Sequence, residues 1–480
     1  MKIKYIILSL ILTAVLPIGC DDLLEEQPLD FVSPENFYQN EREARFAAYS
    51  LYNTLVNRNS YNIALWRLND YGTPALDGGT NNTNIALDQF SYDANLSEVN
   101  YWGEAYQAIV RANIILENVP GIQMNTDERN AILGEARCIR AWHYFNLVRI
   151  FGDVPLRTQV DISLEEASDN PRVDKETIYN LIFEDLAFAE EWLPITYPSQ
   201  EVGRATRGAA KTMLAKVHLT RGEFTQARDK AKEVMDLGVY RLMDDYRDVF
   251  DPDTKNNEEH ILSAQYQKFR VGAWFESIIS PAGSVPCGFN QGTVNPDWYN
   301  SYPDTYRKEI SMMTAFVNDN GDTVQVYERP FVKKYIAWSQ LDRGGCFSGE
   351  NNFPILRYAD VLLMYAEAEN EVSGPSQQAY DAINAVRKRA RTSADGTEDL
   401  AALPDLAGLD QEGFRQAVYQ ERAWELCFEA HGWFDLVRTG RLVSVNQADG
   451  KTNVSATHNL YPLPQSALDQ NKALTQNPGY

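Results

Sequence analysis

Cysteine is scarce in this chain: only five occur in 480 residues, Cys20, Cys138, Cys287, Cys346 and Cys427. None are spaced as CxxC or as a zinc site, which argues against a metal ribbon and against a disulfide framework. Cys138 and Cys427 fall in helical patterns, where a free thiol behaves as a small buried hydrophobe. Histidine is equally thin. The five His residues, 143, 218, 260, 431 and 458, form no HExxH or HxH pattern, and no GxSxG elbow occurs, so zinc-protease and serine-hydrolase chemistry have no foothold. Positive charge is the third deficit. With 44 basic against 67 acidic side chains the formal net charge is -23, which repels nucleic-acid phosphates and anionic lipid. Beyond the first residues there is no apolar run of 18 or more, so no transmembrane helix is expected downstream.

Aromatic residues are plentiful, with 26 Tyr, 20 Phe and 9 Trp. Rings with polar handles suit wet, partly apolar ligands, although a large aromatic core accounts for the composition equally well.

Lys2 and Lys4 precede an apolar run from Tyr5 to Ile18, too short for a comfortable span and right for a secretory signal at residues 1–19. Cleavage after Gly19 would leave Cys20 as the amino-terminal residue, as in bacterial lipoprotein processing, with Pro17 standing where a Leu is usual. Each buried methylene of an acyl chain contributes roughly 0.8 kcal/mol, so several chains would hold the protein on a membrane. Asp21, Asp22, Glu25 and Glu26 follow the anchor, as an export signal or as a solvated tether.

Helical spacing recurs at Phe37 to Leu55 behind Ser33 and Pro34, at Trp102 to Leu116, at Cys138 to Val148 and at Thr177 to Leu193. The clearest unit is Thr206 to Gly238. Ala210, Met213, Leu214 and Val217 line one helix, Gly222 makes the turn, and Phe224, Ala227, Ala231 and Val234 line the next, a tetratricopeptide-like hairpin. Such pairs cannot bury their faces alone, so segments 105–150 and 357–391 are expected to stack on it. Asn69 to Asn100 is instead rich in Asn, Asp, Gly and Thr and predicts a long ordered loop. Residues 241–350 form an irregular, partly β insertion with a hairpin at Asn320-Gly321, and helices resume at Tyr358 to Glu371, Gln377 to Arg391 and Gln411 to Glu429. Leu460 to Tyr480 reads as a Pro-punctuated tail. The fold class is therefore mostly α, a tetratricopeptide-like helical-hairpin scaffold with a loop-rich insertion, divided as 20–240, 241–350 and 351–480.

The order of motifs resembles the SusD/RagB family nearly end to end. Leu24-Glu25-Glu26-Gln27-Pro28 and Ser33-Pro34-Glu35-Asn36-Phe37 are followed by Tyr106, Ile109, Arg111, Ala112 and Asn113. Gly134-Glu135-Ala136-Arg137 then leads through Arg140-Ala141 and Tyr144-Phe145 to Phe151-Gly152-Asp153-Val154-Pro155-Leu156, and Gly203-Arg204-Ala205-Thr206 comes next. Later stand Leu356-Arg357-Tyr358-Ala359-Asp360, Ala366-Glu367-Ala368, Asn384-Ala385-Val386-Arg387, Glu421-Arg422, Glu425-Leu426, Phe428-Glu429, Asp435-Leu436-Val437-Arg438, Pro462-Leu463-Pro464 and the Gln476 to Tyr480 end. Ala430-His431-Gly432 replaces a more usual Gly-x-Arg, and no role is carried over to His431. The resemblance implies an outer-membrane lipoprotein facing the exterior, which captures oligosaccharide for a SusC-like TonB-dependent β-barrel transporter and needs no cofactor. A peptide or other nutrient as cargo, and a surface hydrolase, are the alternatives.

Glu421, Glu425 and Glu429 stack at i,i+4, as catalytic carboxylates or as an ion network with Arg422, Arg438 and Arg357; Trp424, Leu426 and Phe428 beside them favour the network. A glycoside hydrolase would need two carboxylates roughly 5 to 9.5 Å apart, which spacing in sequence does not settle. Gly203 to Thr212 fails as a phosphate loop because Ala209 stands where Lys is required, and Asp251, Asp253, Glu258 and Glu259 are a poor calcium loop because Lys255 and Asn256 interrupt it. No metal site is assigned. Ligand contacts are expected from loops on the rigid frame. The candidates are Trp66, Tyr71, Asp77, Asn81, Asn82 and Tyr92 from the first loop, with Trp274, Trp298, Tyr299 and Trp338 from the insertion. Trp102 opens a family helix and is assigned to the core.

Overall fold

The computed structural model describes residues 37–160, 166, 168–284, 287–318, 320–336 and 346–480. The signal segment, Cys20, the Ser33-Pro34 cap and Trp338 lie outside the described residues. Among the described residues the first half carries eight α-helices: α1 (Glu41–Tyr52), α2 (Ala64–Asp70), α3 (Asn82–Asp88), α4 (Tyr101–Asn118), α5 (Thr126–Phe151), α6 (Lys175–Trp192), α7 (Arg207–Thr220) and α8 (Phe224–Asp236). α1 starts later than expected, because Asn40 caps it by accepting from the Glu43 amide. α7 and α8 are the anticipated hairpin, with Thr206 capping α7 and Gly222 turning the chain at φ +72°. α5 packs between α4 and α6, α7 joins α6 to α8, and α8 leads on to the first helix of the carboxy-terminal part, so the pairs stack in series. Their buried faces read Ala209, Ala210, Met213, Leu214 and Val217 on α7 against Ala227, Ala231 and Val234 on α8. Small residues there let the backbones approach closely.

The insertion opens with β1 (His260–Ala264) and carries short helices α9 (Phe275–Ile279), α10 (Pro296–Ser301) and α11 (Tyr306–Ser311). Strand β2 (Met312–Met313) pairs β5 (Phe331–Val332), and β3 (Ala315–Val317) pairs β4 (Thr323–Gln325) in the hairpin that the sequence predicts. β6 (Phe353–Arg357) closes it, antiparallel to β1. This pairing sets His260 opposite Arg357, which drives the Arg357 side chain into the centre of the molecule. α12 (Tyr358–Ser373), α13 (Gln377–Arg391), α14 (Gln411–Glu425), α15 (Gly432–Arg438), α16 (Leu442–Ala448) and α17 (Gln465–Gln470) complete the chain.

α14 ends at Glu425, four residues short of expectation. Phe428 and Ala430 have φ values of +65° and +61°, which no α-helix accommodates, so Glu429 reaches the interior from the turn after the helix. The three glutamates nevertheless share one buried ion network. Arg357 Nη1 donates to Glu259 (2.8 Å) and Glu425 (2.6 Å), and its Nε donates to Glu429 (2.7 Å). Arg307 Nη1 bridges Glu421 (2.6 Å) and Glu425 (2.7 Å), Arg387 adds a bond to Glu421 (2.8 Å), Arg389 one to Glu259 (2.8 Å), and Lys334 one to Glu429 (2.6 Å). Arg422 and Arg438, expected here, belong to a neighbouring set with Asp360, Asp435 and Glu367. Burial raises the cost of ionising Glu425, but Arg389, Arg357 and Arg307 overcome it and hold the carboxyl well below its ordinary value. Every oxygen of these glutamates is spent on a cation, so they are structural.

Candidate functional site

The two regions expected to carry ligand meet. Asp77 N donates to the Thr293 carbonyl (3.0 Å), Asn295 N donates to the Ala75 carbonyl (3.1 Å), and Leu76 bridges Val294. Thr293 Oγ1 also donates to the Asp77 carbonyl (3.0 Å). The first loop and the insertion thus form one seam, although more than 200 residues separate them, and α3 shows that part of the expected loop is helical.

Burial sorts the candidate residues. Trp66, Tyr71 and Tyr92 are core side chains, 1%, 0% and 8% exposed, which corrects the expectation that their rings face ligand. Trp66 packs edge-on against Tyr71 at 5.5 Å, the Tyr71 hydroxyl donates to the Gln291 carbonyl, and Tyr92 stacks on Tyr461 at 4.9 Å. Tyr71 ties the first loop to the insertion, and Tyr92 ties it to the carboxy-terminal tail. Asn81 caps α3 through the Asn84 amide (3.1 Å), and Asn82 is exposed in its first turn. The Asp77 carboxylate stays partly exposed, accepting from the Gly79 amide (2.6 Å), with Arg329 4.0 Å away.

Trp298 stands at a cleft of about 210 Å³ bordered by Pro74, Ser301, Tyr419, Arg422 and His431. It is half-buried, edge-on to Tyr302 at 5.2 Å, and Tyr299 beside it faces the Lys308 ammonium at 4.1 Å. Asp70 and His431 are among the titratable groups that border this cleft. Burial raises the Asp70 carboxyl to about 8 against the opposing bond from the Ala430 amide (3.0 Å), and burial, then the Lys216 ammonium, lower the His431 imidazole to about 3. Asp70 therefore braces the left-handed turn at Ala430, and His431 accepts from Lys216 (3.1 Å); both are tied into packing. A larger cavity of about 640 Å³ lies elsewhere, between Trp102, Tyr106, Arg157 and Gln470; Trp102 is 8% exposed and packs on Phe151.

At the other end of the seam lies a row of rings. Half-buried Trp274 contacts Phe347 at 4.7 Å, and Phe347 stacks on Phe289 at 5.4 Å with 19° between the planes. Phe289 is 45% exposed and Phe269, on the adjoining turn, 74%. Asn290, Ser348 and Glu350 supply polar groups alongside. Reading for Trp and Tyr missed Phe289 and Phe347; the signal was their position beside Cys287 and Cys346. Those two cysteines form a disulfide with Cα atoms 5.2 Å apart, a pairing the sequence reading did not assign. Closing a loop with a sequence separation of 59 stabilises the fold by about 4 kcal/mol on the chain-entropy account. Cys138 and Cys427 are free and buried.

The platform backbone is tight. A Cβ on Gly288 would sit 1.9 Å from the Pro281 carbonyl oxygen, and one on Gly272 would sit 2.1 Å from that of Phe347. Gly288→Ala is expected to cost about 1 to 3 kcal/mol by forcing these strands apart, read as a lowered midpoint in denaturant.

A family model described as "SusD family" matches residues 286–480, and one described as "Starch-binding associating with outer membrane" matches residues 75–219. The SusD-like protein P25 of Formosa agariphila is 31% identical, over 96% of this chain and 95% of its own. The chain belongs to the SusD/RagB family. A solved SusD homologue from Bacteroides thetaiotaomicron superposes with a TM-score of 0.82 at 26% identity, covering 93% of this chain and 98% of the other. A laminarin-binding SusD-like protein gives 0.78 at 25% identity, covering 92% and 100%. As a SusD-family chain this is a binding protein and not an enzyme, and its mostly helical scaffold with a small β insertion is the family's fold.

Proposed function

We propose that this protein captures oligosaccharide on the face where residues 75–82 meet residues 267–299, and passes it intact to a TonB-dependent β-barrel transporter. The observation that carries the reading is the ring row Trp274, Phe347 and Phe289 at that seam, the first two half-buried and Phe289 exposed, with Asn290, Ser348 and Glu350 close by in sequence. Apolar ring faces stack on the flat faces of sugars while the polar groups match hydroxyls. The laminarin-binding relative supports a glycan as cargo. Asp77, Asn81 and Asn82 along the seam, with Trp298 and Tyr299 at its opposite end, are assigned to the ligand's periphery. Diacylation at Cys20 after removal of residues 1–19 would hold the protein on the outer membrane, facing outward; the family description of outer-membrane association agrees.

The test uses the soluble form beginning after Cys20, titrated calorimetrically with laminarin fragments, malto-oligosaccharides and a peptide mixture. Saccharide bound and recovered unchanged is expected. Peptide binding without saccharide binding would favour the other cargo class, and shortened saccharide would overturn the reading.

A further inference from the structure

We infer that the Cys287–Cys346 disulfide is a positioning element of the ligand site, holding Phe289 and Phe347 as a single stacked platform; the inference rests on the glycan-capture reading. Cys287 stands two residues before Phe289 and Cys346 directly before Phe347, so the bond ties the two rings' backbones at their roots. Both ring residues hang from one residue of α9: Phe289 N donates to the Ser277 carbonyl (3.0 Å) and Phe347 N donates to Ser277 Oγ (3.1 Å). The bonds that follow in each segment, Asn290 N to the Ser280 carbonyl (2.9 Å) and Gly349 paired with Ala273 in both directions (2.8 and 3.1 Å), hold the far side of each ring, and the disulfide holds the near side. Phe347 has φ +58°, a left-handed backbone that a bulky residue adopts only where its surroundings impose it. Relaxation to negative φ would swing the Phe347 ring away from both Phe289 and Trp274. The covalent bond at the preceding residue opposes this relaxation.

The location speaks against a simple core staple. Cys346 is exposed and Cys287 half-buried, whereas the free thiols Cys138 and Cys427 sit in the interior. Gly288, between Cys287 and Phe289, lies so close to the Pro281 carbonyl that the segment bearing Phe289 is seated against α9's exit, and the disulfide restrains the chain before Phe347 as the Ala273–Gly349 pairing restrains it after.

The experiment compares wild type with Cys287→Ser/Cys346→Ser by calorimetric titration with laminarin fragments and malto-oligosaccharides, alongside circular dichroism. Affinity is expected to fall about tenfold, the contribution of one well-placed ring, with the helical spectrum unchanged. In a Phe347→Ala background, opening the disulfide is expected to cost no further affinity, because the ring it positions is gone. A purely stabilising bond would lower the melting temperature and leave affinity untouched; that result, or an equal further loss in the Phe347→Ala background, overturns the inference. Should the serine variant not fold, native wild type reduced until two thiols titrate gives the same comparison. Wild type that binds none of these saccharides overturns the capture reading, and the inference with it.

Discussion

Trp274→Ala combined with Phe289→Ala lowers oligosaccharide affinity on the order of 100-fold, at roughly 1.5 kcal/mol for each lost ring contact, and leaves the helical spectrum intact. Titration with laminarin fragments or malto-oligosaccharides reads the loss. The expectation of an intact fold follows from exposure: Phe289 is 45% exposed and Trp274 is half-buried, so neither closes the core. Trp66→Ala is the contrasting control. That ring is 1% exposed, and its removal leaves a cavity worth about 3 to 5 kcal/mol of stability. An affinity that survives loss of both surface rings would remove the platform from the site.

Arg357→Leu costs about 3 to 5 kcal/mol, because three buried carboxylates, Glu259, Glu425 and Glu429, lose a shared partner together. Against a typical total of about 5 to 15 kcal/mol, soluble yield and melting temperature both fall sharply. Arg357→Lys rescues little, since one ammonium cannot reproduce a planar fork with bonds on Nε, Nη1 and Nη2. The pH dependence has a definite sign. The Glu425 and Glu429 carboxyls are held below the ordinary 4.5 by Arg389 and Arg357 against the opposing effect of burial. Stabilisation by their pairing is therefore complete above that value and is lost as pH falls through the depressed ones. The gap between wild type and variant therefore closes as pH falls, first as the variant's carboxyls, left with fewer cations against the effect of burial, take up protons, and last as the wild type's do. Urea unfolding of both proteins from neutral pH into acid checks it; a gap that widens in acid would contradict the assignment.

The scaffold was legible because long amphipathic helices write a 3.6-residue period into the chain, as α7 and α8 show with Met213, Val217, Ala227 and Val234. Glu421 and Glu425 were legible for the same reason. What escaped was decided by contacts distant in sequence. Tyr71 sits among Asn, Asp and Gly, which reads as solvent, yet Gln291 and Val294 from the insertion close over that stretch, while Trp66 lies in the largely apolar run Ile63 to Leu68 that forms a buried helix. Phe289 and Phe347 carry no local mark of exposure, because a Phe in an irregular segment is core or surface according to what folds over it. The disulfide was hidden likewise, its partners being 59 positions apart with no motif spacing. Glu429 looked helical because a pattern of carboxylates continues past the point where Phe428 turns left-handed.

The ion network draws its anions from Glu259 and from residues 421–429, and its cations from residues 307–389. A polypeptide emerging amino-terminus first would present Arg307, Lys334, Arg357, Arg387 and Arg389 before three of the four carboxylates exist to meet them. Premature collapse of that half would trap unneutralised guanidinium groups in an apolar setting, so completion of the tertiary structure waits for the final sixty residues.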